Sequence, residues 1–300
     1  MALVDFDPLP WWPGREDSPW RKGPHRLNAK GDFDLTLAAL QGEPTLLEQA
    51  AALRGHAAVA LGNNSVVAGV PLKGELSLRS ADATSAIAAL ALDSGGNSVA
   101  VNGRLSTAQR GASDQWDATL AAPALNQLAP LWRLFAPRGI DASLNGSVHA
   151  SARISGRWPD IATRGQLDVN DLQLAATRVQ RAKAAWQIDS AANAAIDVQA
   201  SLERLSTSLA ALKGTPPIDS AQLQLKGTLR DHKLELRADT RALPPAWTDT
   251  LQGKPPVAPP AAPTAPATSA SAPARTLAIL QAQGAMLDTP LRNAGWRGSV

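Results

Sequence analysis

The chain has 300 residues, 44% of them hydrophobic but only 4% aromatic, with no Tyr, three Phe and no Cys. Apolar side chains are ample for a core, but a disulfide framework and a thiolate metal site are excluded, and few rings are available to fill the space between two packed sheets. A net charge of +3 with no Lys/Arg block argues against nucleic acid as a partner, and no apolar run approaches the roughly 18 residues of a membrane-spanning helix.

Residues 1–30 carry Trp11, Trp12, Trp20 and several Pro. They are expected to be an irregular segment lying over a sheet edge, in preference to a membrane-interface anchor at Trp11 and Trp12. An elongated β region is expected over residues 31–243. Its first strand, 31–37, puts Phe33, Leu35 and Leu37 on one side and Asp32, Asp34 and Thr36 on the other. The period then changes: Thr45-Leu46-Leu47-Glu48 is an S/T-x-x-E capping box and Leu53-Arg54-Gly55 ends in a base and a Gly, which predicts a short helix near 46–54.

Strands return over 59–106. Leu72, Gly74, Leu76 and Leu78 alternate with Lys73, Glu75, Ser77 and Arg79; Leu90 and Leu92 lead into a Gly95-Gly96-Asn97 turn, and Val99, Val101 and Leu105 follow, the pattern of a meander of hairpins. Trp116, Ala118 and Leu120 continue it. Leu125, Leu128, Trp132 and Phe135 have helical spacing, so a second short helix is expected near 124–135, read as a plug on the sheet end rather than a lipid-touching amphipathic helix.

The longest clean alternation sets Leu144, Gly146, Val148, Ala150, Ala152 and Ile154 against Ser143, Asn145, Ser147, His149, Ser151 and Arg153. Leu167 and Val169 follow a turn. The aliphatic phase then moves by one at Leu172 and Leu174, which predicts a bulge at Asn170-Asp171. Trp186 and Ile188, then Ile196, Val198, Ala200 and Leu202, extend the series; 205–217 reads equally as loop or helical turn. The clearest stretch is 219–240, where Ala221, Leu223, Leu225, Gly227 and Leu229 alternate with Gln222, Gln224, Lys226, Thr228 and Arg230, and Leu234, Leu236 and Ala238 resume after a turn at 230–232. This is a hairpin with one aliphatic and one polar face.

Residues 244–275 are almost entirely Pro, Ala, Ser and Thr and are expected to be a disordered insertion. The β pattern resumes over 276–300 at Leu277 and Ile279. The final Gly298-Ser299-Val300 reads as the opening of another strand, and hence the sequence as a piece of a longer β-repeat protein. A loose Gly-x-apolar-x-apolar motif recurs at Gly31, Gly74, Gly146 and Gly165 with irregular spacing, as in a serial sheet with variable connections.

None of His25, His56, His149 and His232 has a second ligand at metal spacing, Asp168 and Asp171 merely flank the predicted bulge, and no nucleophile elbow, P-loop or dinucleotide motif is present. No catalytic residue, metal or cofactor is expected, and the chain is not expected to be an enzyme. What remains is the aliphatic face. About fifteen strands at ~4.8 Å each make a sheet roughly 70 Å long, which must curl or split.

One architecture that satisfies this is a structural β-solenoid or adhesin-type shaft with a closed core. The other is a mainly β, long curled and serially paired sheet: an open trough with a hydrophobic groove. Scarce aromatic fillers and unbroken alternation favour the trough. Its expected lining is Leu76, Leu78, Leu90, Leu92, Val99, Val101, Leu144, Val148, Ile154, Leu167, Val169, Ile196, Val198, Leu202, Leu223, Leu225, Leu229, Leu234 and Leu236.

Four stretches, Gly69-Val-Pro-Leu-Lys-Gly-Glu-Leu76, Leu128-Ala-Pro-Leu-Trp132, Ser155-Gly-Arg-Trp-Pro-Asp-Ile161 followed by Gly165-Gln166-Leu167, and the hairpin of Gly227-Thr-Leu229 with Leu234-Glu235-Leu236, resemble the middle region of the TamB family. That family supplies the periplasmic subunit of the translocation and assembly module of Gram-negative bacteria and falls within the AsmA-like group. The resemblance implies a hydrophobic groove bridging the inner and outer membranes, with phospholipids as cargo. It also implies support of outer-membrane protein assembly with a TamA-like outer-membrane barrel, met through regions outside this sequence. An inner-membrane anchor in the full-length protein and a periplasmic place for this segment complete the expectation.

Overall fold

The structure, a computed structural model, describes residues 1–11, 23–37, 53–82, 84–106, 114–135, 143–157, 160–191, 193–207, 218–240, 276–286 and 296–299. Its strands are β1 (Ala2–Phe6), β2 (Leu27–Leu37), β3 (Leu53–Val67), β4 (Val70–Asp82), β5 (Ser85–Ser94), β6 (Asn97–Ser106), β7 (Gln115–Ala122), β8 (Leu144–Arg157), β9 (Asp160–Leu174), β10 (Thr177–Asp189), β11 (Ala195–Thr207), β12 (Ile218–Thr228), β13 (His232–Thr240), β14 (Thr276–Met286) and β15 (Trp296–Ser299). All belong to one 15-stranded sheet whose spatial order is the order along the chain. Every pairing is antiparallel, and β1 and β15 do not pair with each other, so the sheet stays open. The fold is therefore the long, curled, serially paired sheet; a closed-core shaft is absent among the described residues.

Local chemistry explains the meander. Gly95 and Gly96 join β5 to β6 with φ of +57° and +78°, the left-handed pair that a two-residue hairpin needs. At the same end of the sheet, Asn97 holds the next connection: its side-chain amide donates to the Ala124 carbonyl at 2.9 Å and its oxygen accepts from the Ala124 N–H at 3.0 Å. A 3-10 turn (Leu125–Leu128) then runs into α1 (Ala129–Phe135), and both pack on β8. Pro130 lies in the first turn of α1, where its missing N–H has no helical partner to lose. This is the plug expected near 124–135. At the opposite end, Asp114 is 1% exposed and ties three strands together. It accepts from the Ser106 backbone N–H at 2.7 Å and from Arg157 Nε at 2.8 Å, while Arg157 also donates to the Ser106 carbonyl at 3.0 Å.

Several expectations are corrected. The 1–30 segment is not wholly irregular: β1 and the opening of β2 lie in it, because Leu3 and Ala29 extend the aliphatic pairing one strand before Gly31. The helix near 46–54 falls mostly on residues outside those described, but its last residues, Leu53 and Arg54, open β3. Gly55, read as a helix stop, sits inside β3 opposite Leu35 with φ of +103°. A helix C-cap and a strand kink both demand positive φ, so the same glycine signals either. β11 continues through Thr207, and 208–217 lie outside the described residues. So does the Pro-rich stretch, although Thr240 pairs directly with Thr276, so that everything between them connects two hydrogen-bonded neighbours.

Among the described residues, buried apolar side chains are few and dispersed: Ala29, Val70, Ala86, Leu105, Ala122, Leu125, Val169, Ile196 and Leu229. No second sheet covers the first among the described residues. What would be the core of a sandwich is here a half-covered surface.

Candidate functional site

The strand registers align the aliphatic positions into lines that cross the sheet. Gly31 in β2 faces Val59, which faces Leu76. Leu90, Val101, Ala118, Ala152 and Gly165 follow strand by strand, then Trp186, Val198, Leu225, Leu234 and Ala282 in β14. Cross-strand partners lie on one face, so this line runs from β2 to β14 without a charged or polar side chain.

A second, parallel line holds Leu92, Val99, Leu120, Ala150, Leu167, Ala184, Ala200, Leu223, Leu236 and Leu280. A third contains Leu78 and Ile154, with Gly103 and Trp116 between them. A fourth contains Val148, Val169, Ala182, Leu202, Ala221 and Ala238.

Most of the expected lining residues are therefore brought together. Ile196 faces Gly227 at the margin, and Leu144 faces Leu174 beyond the bulge. Leu229 is the exception: it lies in the turn after β12 and is 4% exposed, held there by its carbonyl, which accepts from the Met286 N–H at 2.8 Å. Of the expected lining only Val169, Ile196 and Leu229 are buried, while Leu76 is 51% exposed.

Two features of this face escaped the sequence reading. Trp116 lies over Gly103 on the neighbouring strand: a Cβ built at Gly103 would be 2.1 Å from the ring. Trp186 lies in the same way over Gly165, where a Cβ would be 2.5 Å from the ring, and its Nε1 donates to Thr163 Oγ1 at 3.2 Å. Each indole is laid flat across its neighbour, so the two large rings add apolar area without standing up from the floor. The signal was present as a Gly and a Trp in the same alternation phase of adjacent strands.

The other face is polar and self-paired. Arg153 meets Asp117 at 2.6 Å, Arg181 meets Glu203 at 3.2 Å and Lys183 meets Asp168 at 3.3 Å. The Asn170 amide, then Lys183, hold the Asp168 carboxyl below its usual range. A concavity of about 1000 Å³ lies against β7–β13. It is lined by Leu120, Ala150, Leu167, Ala184, Ala200 and Leu223 of the second aliphatic line, together with polar residues that flank that line in β8–β13.

Among the described residues no helix is long and apolar enough to cross a membrane. Comparison with curated proteins and with solved structures returns no match. Residues 66–248, from the end of β3 past β13, match the family model described as TamB, N-terminal domain; the motifs quoted from the sequence resemble the family's middle region. That span holds the greater part of the aliphatic lines and more than half of the chain, and on it the chain belongs to the TamB family of envelope-associated transport and assembly subunits.

Proposed function

We propose that this chain is a non-enzymatic segment of a lipid conduit, in which the aliphatic lines from β2 to β14 carry the acyl chains of phospholipids between the inner and outer membranes. The observation that supports this is a face that no second sheet covers among the described residues and whose aliphatic lines carry no charged side chain. An acyl chain of ~16 methylenes carries about 13 kcal/mol of unfavourable hydration at about 0.8 kcal/mol per CH₂. A face of Leu, Val, Ile and Ala offsets much of that at every strand. Because successive strands offer nearly the same surface, the free energy changes little from one position to the next and a chain can slide. The headgroup stays at the open margin, in water. In the full-length protein, on this reading, the segment stands in the periplasm, tethered to the inner membrane, and works with a TamA-like barrel in outer-membrane protein assembly.

Val198 and Gln199 are adjacent in β11 and face opposite sides. A photo-crosslinking side chain at Val198, in the full-length protein in cells, is expected to capture phospholipid, and the same group at Gln199 is expected not to. Equal labelling at the two positions, or none at either, overturns the conduit.

A further inference from the structure

We infer that the conduit is two acyl chains wide, so that its cargo is a two-tailed lipid carried with both tails abreast, one on each of the first two aliphatic lines. This rests on the conduit reading and names its cargo more closely. Both lines are apolar at every strand from β2 to β14: the first runs from Gly31 to Ala282, and the second from Ala29, through Leu61 and Gly74, to Leu280. They lie two residues apart on each strand, as Val198 and Ala200 do in β11, hence about 6.7 Å apart at the rise of a strand. That leaves room for one hydrocarbon chain on each line. Trp186 does not obstruct the first line, because its ring lies flat over Gly165 and its one polar group is spent on Thr163 Oγ1 at 3.2 Å, in the third line.

Polar groups border the pair on both sides. In the third line Thr163 stands between Ile154 and Ile188, and towards β13 His232 faces Gly227. Two residues beyond the second line, Ser94 faces Asn97 across β5 and β6, and the Asn97 amide there holds Ala124 at the start of the plug. A tail on the third or fourth line therefore meets a hydroxyl, an imidazole or an amide before it has crossed the sheet. A tail on the first or second meets none. Two tails find an unbroken apolar path and further tails on the same headgroup do not, which selects a diacyl lipid over a many-chained glycolipid. Length sets the number carried. From β2 to β14 each line spans about 58 Å at about 4.8 Å per strand, and one tail takes about 15 Å, half of a bilayer's hydrocarbon thickness of about 30 Å. Three or four two-tailed lipids fit end to end.

The test equilibrates the whole chain at saturation with palmitoyl-oleoyl phosphatidylethanolamine, with its one-tailed palmitoyl lyso form and with six-chained lipid A, and counts the lipids retained by native mass spectrometry. The one-tailed lipid is expected in about twice the number of the two-tailed one, since each of its molecules fills one line instead of two, and lipid A is expected not to be retained. In a second arm, photo-crosslinking side chains at Val198 and Ala200, one on each line, are expected to capture the two-tailed lipid equally, and one at Thr163 severalfold less. A count of the one-tailed lipid no greater than that of the two-tailed lipid, retention of lipid A, or capture at Thr163 equal to that at Val198 each overturns the two-tail path while leaving the conduit standing. No retention of any of the three lipids overturns both.

Discussion

Gly103 and Trp116 show how single residues set the shape of the aliphatic face. The three atoms nearest to a Cβ at Gly103 all belong to the Trp116 ring, the closest at 2.1 Å, so Gly103→Ala must lift the indole from the floor. Overpacking of this kind costs about 1–3 kcal/mol. In a Trp116→Leu background the penalty is expected to fall to less than half, as read by a double-mutant cycle in urea. Asp114 is the buried counterpart: Asp114→Ala removes the carboxylate that both the Arg157 guanidinium, 13% exposed, and the Ser106 N–H use. A loss of about 1.5–3 kcal/mol for each hydrogen bond to the charged group is expected, measurable by thermal and chemical denaturation. Three exposed carboxyls give the acid side of the stability profile. Hydrogen bonds from Ser85 and Thr84, with Arg104, depress Asp82; His56 depresses Asp32; Asn170 and Lys183 depress Asp168. A depressed carboxyl stabilises the fold above its unfolded value of about 3.9, and that stability is lost as pH falls below it through the folded value. The urea midpoint is expected to hold steady from neutrality to near that value and then drop, less steeply in Asp82→Asn.

The strands show how far alternation can be read and where it misleads. In β8, β9 and β11 the kink positions are aligned: Gly146, Asp171 and Arg204 have φ of +103°, +48° and +49°, and Gln180 of β10 lies between the latter two. The aliphatic phase slips by one at this line in each of the last three strands, from Val169 to Leu172, from Ala182 to Val179 and from Leu202 to Leu205. Taken alone, the slip at Leu172 announced a bulge, and the structure has one there. Taken alone, the slip at Leu205 made a strand look like a loop. The information was the same, and only the register, which a single chain does not display, shows that the slips are one feature of the sheet. The hairpin of β12 and β13 was legible because its period runs unbroken from Ala221 to Leu225, whereas the opening of β3 before Val59 was not, since Gly55 stands where a helix would end. The hollow on β7–β13 was invisible for a related reason: its residues come from separate strands, and only the register gathers them. Alignment of the kinks predicts that they act together. A Cβ at Gly146 would lie 2.5 Å from the Asp171 carbonyl, so Gly146→Ala is expected to cost about 1–3 kcal/mol and to lower amide protection in β9 as well as β8. Ser147→Ala, one residue away, is expected to stay within about 0.5 kcal/mol.

The molecule as a whole has an unusual distribution of stability. Among the described residues, and apart from the plug on β8, each strand packs chiefly on its neighbours in sequence, so the sheet is nearly one-dimensional, and its stability is close to a sum of strand-pair terms, as in repeat proteins. Such a chain has no central core whose loss unfolds everything. This separates an open face from a closed one. In a sandwich, a carboxylate placed at Val148 is cut off from water and unpaired, and the domain unfolds. On a single layer the same group reaches solvent from the exposed side, so Val148→Asp is expected to cost less than about 2 kcal/mol. The disturbance stays local, because the fourth line meets only Ala122 and Val169 on either side of it. Hydrogen exchange is expected to lose protection in β7, β8 and β9 while β4, β5, β12 and β13 keep theirs. In the full-length protein, lipid captured at Val198, three strands further on, is expected to fall severalfold, because a charge on the floor breaks the even surface over which an acyl chain slides. Uniform loss of protection across all strands would mean that the aliphatic face is covered by a second layer. A local loss with undiminished capture at Val198 would mean that lipid reaches β11 without crossing β8. The two results separate the architecture of the sheet from its use, and both are read from one substitution.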